Sequence, residues 1–135
     1  GLLLVQATRE WFALGALHLA HHGAVKELGR DNADSVRPAI LAGYATVCAD
    51  HPATRAAGRA RATLEALLLD EVERIDRWIG WAENPDTPLG AESSVKLAER
   101  QMERIDELDL PGEVRAWWDE SSAPLRVRVG RLRGD

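Results

Sequence analysis

Apolar residues recur at helical spacing along most of the chain, and five segments show this pattern. The first covers residues 2–28, where a stripe repeats at alternating intervals of four and three residues. The middle of this segment is apolar on nearly every side, which is typical of a helix at the centre of a bundle. We therefore expect the stripe to be buried. Its members are Ala7, Trp11, Leu14, His18, His21, Val25 and Leu28.

Three more helices and a short fifth follow from the same periodicity. Pro38 lies in a first helical turn, where a missing N–H is tolerated, whereas Pro124 is expected to end helical structure. Short connections favour antiparallel neighbours. The predicted fold class is therefore all-α, an antiparallel helical bundle of four main helices plus a short fifth helix. The predicted bounds of helices two to five are about 36–49, 52–83, 88–108 and 111–120.

The C-terminal segment differs from the rest of the chain in both pattern and charge. Residues 124–135 contain four arginines and one aspartate, and apolar residues alternate with arginine between Leu125 and Val129. An alternation of period two is typical of a strand, and a lone strand needs a partner to be stable. We predict a single helical domain over residues 1–123, followed by a basic tail over 124–135 that is extended or disordered.

Length and charge limit the function classes without selecting one. The chain has 135 residues, enough to bury a core without disulfides or metals. Its formal net charge of −5 argues against a nucleic-acid partner, because such proteins usually have a basic excess. No apolar run is long enough to span a bilayer.

The counts of cysteine, arginine and lysine indicate where the protein is located and what kind of genome encodes it. A single cysteine, Cys48, excludes an internal disulfide and favours a reducing compartment, so we expect a cytoplasmic protein. The start of the chain lacks a signal-peptide pattern and an initiator methionine, so we expect a trimmed chain or a fragment. Fifteen arginines against two lysines indicate a bacterial genome of high GC content.

A histidine cluster is the main candidate for chemistry. His18 and His22 lie one helical turn apart, a spacing at which two imidazoles can share a metal ion. A buried His18 tends towards the neutral imidazole that metal ligation and general-base chemistry require. The competing interpretation is a core histidine that bonds to a neighbouring helix. Cys48 and His51 are further candidate metal ligands, but the pattern predicts no cofactor.

One carboxylate and several aromatic residues complete the candidate site. Glu71 lies beside the core stripe of the third helix, where it would either orient His18 or pair with Arg74. In the first case the two residues would be catalytic, in a pocket with aromatic walls. Those walls would be Trp11, Tyr44 and Trp78.

Two functional hypotheses of different classes follow. The first is a non-catalytic interaction or regulatory module that forms a homodimer through tryptophan-bearing helices, and binds a protein partner but no membrane. The second is a bundle that binds a small hydrophobic molecule, or acts on it enzymatically, around His18. The interface residues expected under the first hypothesis are Trp81, Trp117 and Trp118.

Overall fold

A computed structural model describes residues 2–28, 33–84, 86 and 90–134 of the chain, with side chains in the second helix described from residue 37. No strand occurs within these ranges, so the all-α prediction is confirmed. The helices are α1 (Leu2–Leu28), α2 (Ala33–Asp50), α3 (Arg55–Glu83), α4 (Ala91–Asp106) and α5 (Gly112–Leu132).

The chain divides into two compact units, and α3 contributes to both. The first unit comprises Gly1–Leu67 and Leu108–Pro111. The second comprises Leu68–Glu107 and Gly112–Asp135.

In the first unit, α1 packs against α2. The face that α1 buries consists of Ala13, Leu17 and Ala24, and small residues on this face let the two helices approach closely. Hydrogen bonds link His21 with Tyr44 near one end of the pair and Arg9 with the Pro52 carbonyl near the other. The two helices therefore run in opposite directions. Other core residues of this unit are Ile40, Leu41, Tyr44, Val47, Ala60 and Leu64.

In the second unit, α4 packs against α5, and the core is a mixture of large apolar and a few polar side chains. Helix α4 buries residues spaced three or four apart, as a single face requires. The α3 residues that contribute are Leu68, Glu71, Ile75, Trp78 and Ile79.

The C-terminal prediction is wrong, because residues 124–132 continue α5. The buried residues of α5 lie at intervals of four, four, three and four, which is a helical stripe. The alternation in residues 125–129 coincides with this stripe, since Leu125 and Val129 are also one turn apart. Pro124 is exposed and lies inside the helix. The buried stripe is Val114, Trp118, Ser122, Leu125 and Val129.

Helix α3 begins three residues later than predicted, at Arg55 rather than Pro52. The Thr54 hydroxyl accepts a hydrogen bond from the Ala57 N–H at 3.1 Å, as an N-cap does. It also donates to the His51 carbonyl at 2.7 Å. Ala53, with φ of 60°, interrupts the helical backbone before this cap. At the next junction, Pro88 lies outside the described residues.

None of the described helices combines the length and the apolarity that a membrane span requires.

Candidate functional site

The stripe predicted to be the core of α1 lies on the surface instead. We call its seven residues, defined above, the Trp11 stripe. Every member except His21 is exposed, and Trp11 is 65% exposed. His18 is therefore an exposed side chain, and the prediction that it is buried is wrong. The face that α2 covers is the one with alanines, because these allow closer packing than Trp11 and Leu14 would.

Exposed apolar surface is concentrated on α1. Of the fourteen large apolar side chains that are exposed within the described ranges, ten lie on this helix. Residues 11–25 contain no Asp, Glu, Lys or Arg, so histidine is the only ionisable side chain over about four turns. Apolar patches of this kind usually mark an interaction surface. The exposed large apolar residues of α1 outside the Trp11 stripe are Leu2, Leu3, Leu4, Val5, Phe12 and Leu19.

A groove of about 690 Å³ lies along one flank of the Trp11 stripe, between α1 and the start of α3. Trp11 and Leu14 supply its apolar wall, and Arg55 and Arg59 lie on the α3 side. Neither His18 nor Tyr44 lines this groove. The expected pocket, with His18 at its centre and Trp11 and Tyr44 as walls, is therefore not the cavity at Trp11.

Two polar side chains at this groove, Glu10 and Gln6, already have partners within the protein. Both carboxylate oxygens of Glu10 accept the backbone N–H of Arg55, at 3.1 and 3.3 Å. Gln6 donates a further hydrogen bond to Glu10 at 3.1 Å. The carboxylate thus satisfies a donor at the N-terminus of α3, the position at which helices often bind anions.

The third histidine of the cluster, His21, pairs with Tyr44. The His21 Nδ1 and the Tyr44 hydroxyl are 2.6 Å apart, and the hydroxyl donates when Nδ1 has no proton. The rings meet edge to face at a centroid distance of 5.3 Å. Burial raises the pKa of Tyr44, so this hydroxyl keeps its proton and is available as the donor. The pair fixes the turn of α1 that follows His18 against α2.

Glu71 is a core residue of the second unit. Its carboxylate is 1% exposed, and it accepts a hydrogen bond from Nε2 of Gln101 at 2.9 Å. His18 belongs to the first unit and Glu71 to the second. The expected catalytic arrangement, a buried His18 oriented by Glu71, is therefore wrong about the burial of His18.

The remaining tryptophans divide into buried and accessible residues. Trp118 is fully buried and donates its indole N–H to the Asp106 carboxylate at 2.8 Å, so it cannot be an interface residue of the folded chain. Trp78 is buried in the second unit, with the Arg74 guanidinium 6.0 Å from its ring. Trp81 is 42% exposed and Trp117 is half-buried. Both stay candidate interface residues.

The candidate metal ligands do not form a closed site within one chain. Among the described residues, no group of three or more His, Cys, Asp or Glu side chains is placed to hold a metal ion. The Cys48 thiol donates towards the Ala57 carbonyl at 3.5 Å, and burial raises its pKa. His18 and His22 are both exposed on α1.

Sequence reasoning missed two features of these surfaces. Gln101 was not singled out, although it lies three residues after Ala98 and four before Ile105, on the buried face of α4. That periodicity is a signal that Gln101 is buried and needs a polar partner. The outward direction of the Trp11 stripe had no such signal, because α1 is apolar on both faces.

Comparisons with known proteins give no family for this chain: no protein-family model, curated protein or solved structure matches it.

Proposed function

We propose that the protein is a non-catalytic helical interaction module that pairs with a second copy of itself through α1. The observation that supports this proposal is the Trp11 stripe, a largely apolar stripe from Ala7 to Leu28 that is exposed except at His21. Isolated exposed apolar residues need no explanation, but a continuous apolar stripe points to a partner.

The spacing within the stripe favours another helix as the partner. Intervals of four and three residues give a mean repeat of 3.5, which is the repeat of a left-handed coiled coil. The stripe runs from Ala7 to Leu28, a length of about 32 Å at 1.5 Å per residue. A helix with the same repeat can follow it without losing contact.

The charge pattern favours a second copy over a lipid surface. Helices that bind anionic membranes place Lys and Arg on their polar face. Helix α1 has only Arg9 and Lys26, and neither lies within the uncharged stretch of residues 11–25. A second α1 presents an equally uncharged and apolar stripe, and twofold symmetric contacts are the commonest in homo-oligomers.

The gain from pairing comes mainly from the large side chains. Fully burying a leucine or valine is worth about 1.5–3 kcal/mol, and tryptophan is enriched among the residues that dominate binding energies. Trp11, Leu14 and Val25 are all exposed in the single chain, so each has area to bury on pairing.

Sedimentation velocity over a range of concentrations tests this proposal. We expect a dimer of the unmodified chain, and a dissociation constant raised about 30-fold or more by Trp11→Glu or Leu14→Glu, because losing one such anchor costs about 2 kcal/mol. Leu69→Glu is the matched control, since Leu69 is 50% exposed on α3 outside the stripe. Circular dichroism checks that each variant keeps its helical content.

Two outcomes would contradict the proposal. A monomer at all concentrations excludes self-association. A dimer that Trp81→Glu dissociates, but Trp11→Glu and Leu14→Glu do not, moves the interface to the tryptophan predicted from the sequence.

A small-molecule site is the second candidate, supported by one observation. The groove beside Trp11 has a volume of about 690 Å³, within the usual range of ligand pockets. It ranks second because Glu10, a polar group of its lining, is engaged with α3. Native mass spectrometry tests it: a retained organic adduct that Arg59→Glu removes would favour this role, whereas an adduct-free chain would not.

The antiparallel packing of four main helices, the cytoplasmic location and the bacterial origin stay predictions, and the proposed function depends on none of them.

A further inference from the structure

We propose that His18 and His22 form half of a zinc site, which the same two residues of a second copy complete. The inference rests on the proposed self-association through α1. It assigns a metal to that interface and a role to the two histidines that the fold of the single chain leaves exposed.

The first step is the geometry of the pair. His18 and His22 lie four residues apart on a continuous helix, so their Cβ atoms are about 5–6 Å apart on one side of α1. Both side chains are exposed, in contrast to His21, whose Nδ1 is bonded to Tyr44. Two neutral imidazoles at this spacing can bind one ion through a nitrogen of each ring.

The second step is ligand number. Structural zinc sites are almost always closed by four protein ligands in a tetrahedron. One chain offers only this pair at the turn, because the described residues contain no metal-competent group of three or more. The site is therefore incomplete without another chain.

The third step is symmetry. His18 belongs to the Trp11 stripe, and His22 lies one turn further along, beside it. When a twofold axis passes through this turn, the pair of one copy faces the pair of the other, and four imidazoles surround one point. Within α1, no Asp, Glu, Lys or Arg lies between residues 11 and 25 to compete for the ion or to repel it.

The fourth step is the choice of metal. Imidazole suits zinc, copper, nickel and iron, whereas magnesium and calcium prefer oxygen ligands. Four imidazoles in a closed site match the tetrahedral preference of zinc. The histidines must be neutral to bind the ion.

The test measures self-association and metal content on the same preparation. Chelator-stripped protein is studied by sedimentation velocity in EDTA and in zinc chloride, and native mass spectrometry counts bound zinc. We expect one zinc per dimer and a dissociation constant lowered about tenfold or more by zinc, because metal binding and pairing are reciprocally coupled.

Variants separate this site from other histidines. His18→Gln and His22→Gln should each remove the effect of zinc. His22 lies outside the Trp11 stripe, so the dimer of His22→Gln in EDTA should remain. His51→Gln is the control, an imidazole outside α1, and should respond to zinc as the unmodified chain does. Equal effects of His51→Gln and His18→Gln would overturn the inference.

The remaining outcomes distinguish this inference from the proposed function. A dimer in EDTA that zinc does not tighten overturns the zinc site and leaves self-association intact. A monomer in both conditions overturns both. One zinc bound per monomer, without pairing, overturns the shared site.

Discussion

At the residue scale, Asp106 at the end of α4 joins this helix to α5. Its carboxylate accepts hydrogen bonds from the Trp118 indole at 2.8 Å and from Arg126 at 2.6 Å. Arg115 donates to its backbone carbonyl at 3.2 Å. Burial opposes ionisation of this carboxyl, but the hydrogen bonds from Arg126 and Trp118 outweigh it and hold the pKa of Asp106 below its ordinary value.

We predict that Asp106 makes the stability of the folded chain sensitive to acid. A carboxyl whose pKa is lower in the folded chain stabilises it fully above the unfolded pKa of about 3.9 and loses that contribution as the pH falls through the folded value. Asp106→Asn should therefore be less stable than the unmodified chain at neutral pH. The difference in the free energy of unfolding between the two proteins should narrow below about pH 4. Urea denaturation at several pH values measures it.

Asp70→Asn is the control for this experiment, because Asp70 is an exposed carboxylate of α3 in the same unit. The prediction would be contradicted if the free energies of unfolding of Asp106→Asn and the unmodified chain differ by the same amount from neutral to acid pH.

Single residues also show the limit of sequence reasoning. Glu71 was placed correctly beside a core stripe, but its burial depends on Gln101, thirty residues later on another helix. Helical periodicity gives the side of a helix on which a residue lies. It does not give the partner that allows a carboxylate to be buried, because the partner is set by tertiary packing.

At the scale of elements, α5 continues through a proline because its second half is anchored on both sides of the helix axis. Leu125 and Val129 are buried, and Arg128 forms ion pairs with Asp76 and with Glu83, the latter at 2.7 Å. The hydrogen bond from Arg128 lowers the pKa of Glu83. Arg133 forms a second set of ion pairs, with α4, through Glu92 and Glu99.

We predict that Pro124→Ala stabilises the protein. Proline in a helix interior is about 3 kcal/mol less favourable than alanine, since it removes a backbone hydrogen bond and crowds the preceding turn. The free energy of unfolding, measured by urea denaturation, should rise by about 1–3 kcal/mol. A segment that is extended or disordered at this point would show no gain.

Pro111→Ala provides the comparison, because Pro111 precedes the first residue of α5 and lies outside the helix. It should give no comparable stabilisation. Equal gains from the two substitutions would indicate an effect on the unfolded chain and not on the helix.

How accurately the helix bounds were predicted depended on how regular the local hydrophobic pattern is. The bounds of α1 were predicted correctly, since the 4–3 spacing covers most of the helix, from Ala7 to Leu28. The face of α1 was predicted wrongly, because large apolar residues dominate the pattern while the alanines determine how closely α2 can pack. In α5, the alternation of apolar residues and arginine concealed a helical stripe that only the longer window from Val114 to Val129 reveals.

At the scale of the whole molecule, the proposed dimer links stability to concentration. A partner that binds only the folded state raises the unfolding temperature by mass action, and more so at higher protein concentration. We predict that the Tm of the unmodified chain rises over a hundredfold increase in concentration, as measured by scanning calorimetry at about 5 and 500 μM. For a monomer the Tm does not depend on concentration.

Trp11→Glu should weaken the dependence of the Tm on concentration, whereas Leu69→Glu should keep it. A flat Tm for the unmodified chain would contradict self-association, even if other measurements find weak contacts.

Composition predicted a helical protein of ordinary size with no basic excess, and the all-helical content is confirmed. It could not distinguish a helix at the centre of a bundle from a helix that offers an apolar face to another molecule. The two have the same hydropathy in sequence, since the physics that buries a side chain inside one chain also buries it between two chains.

The bond between Glu10 and Arg55 has a consequence for the order in which the chain assembles. The donor at the start of α3 obtains this acceptor from a residue 45 positions earlier. The contact therefore requires closure of a long loop, which is slow relative to forming a helix turn. During synthesis α1 emerges before α3, so the acceptor is already present when its donor leaves the ribosome.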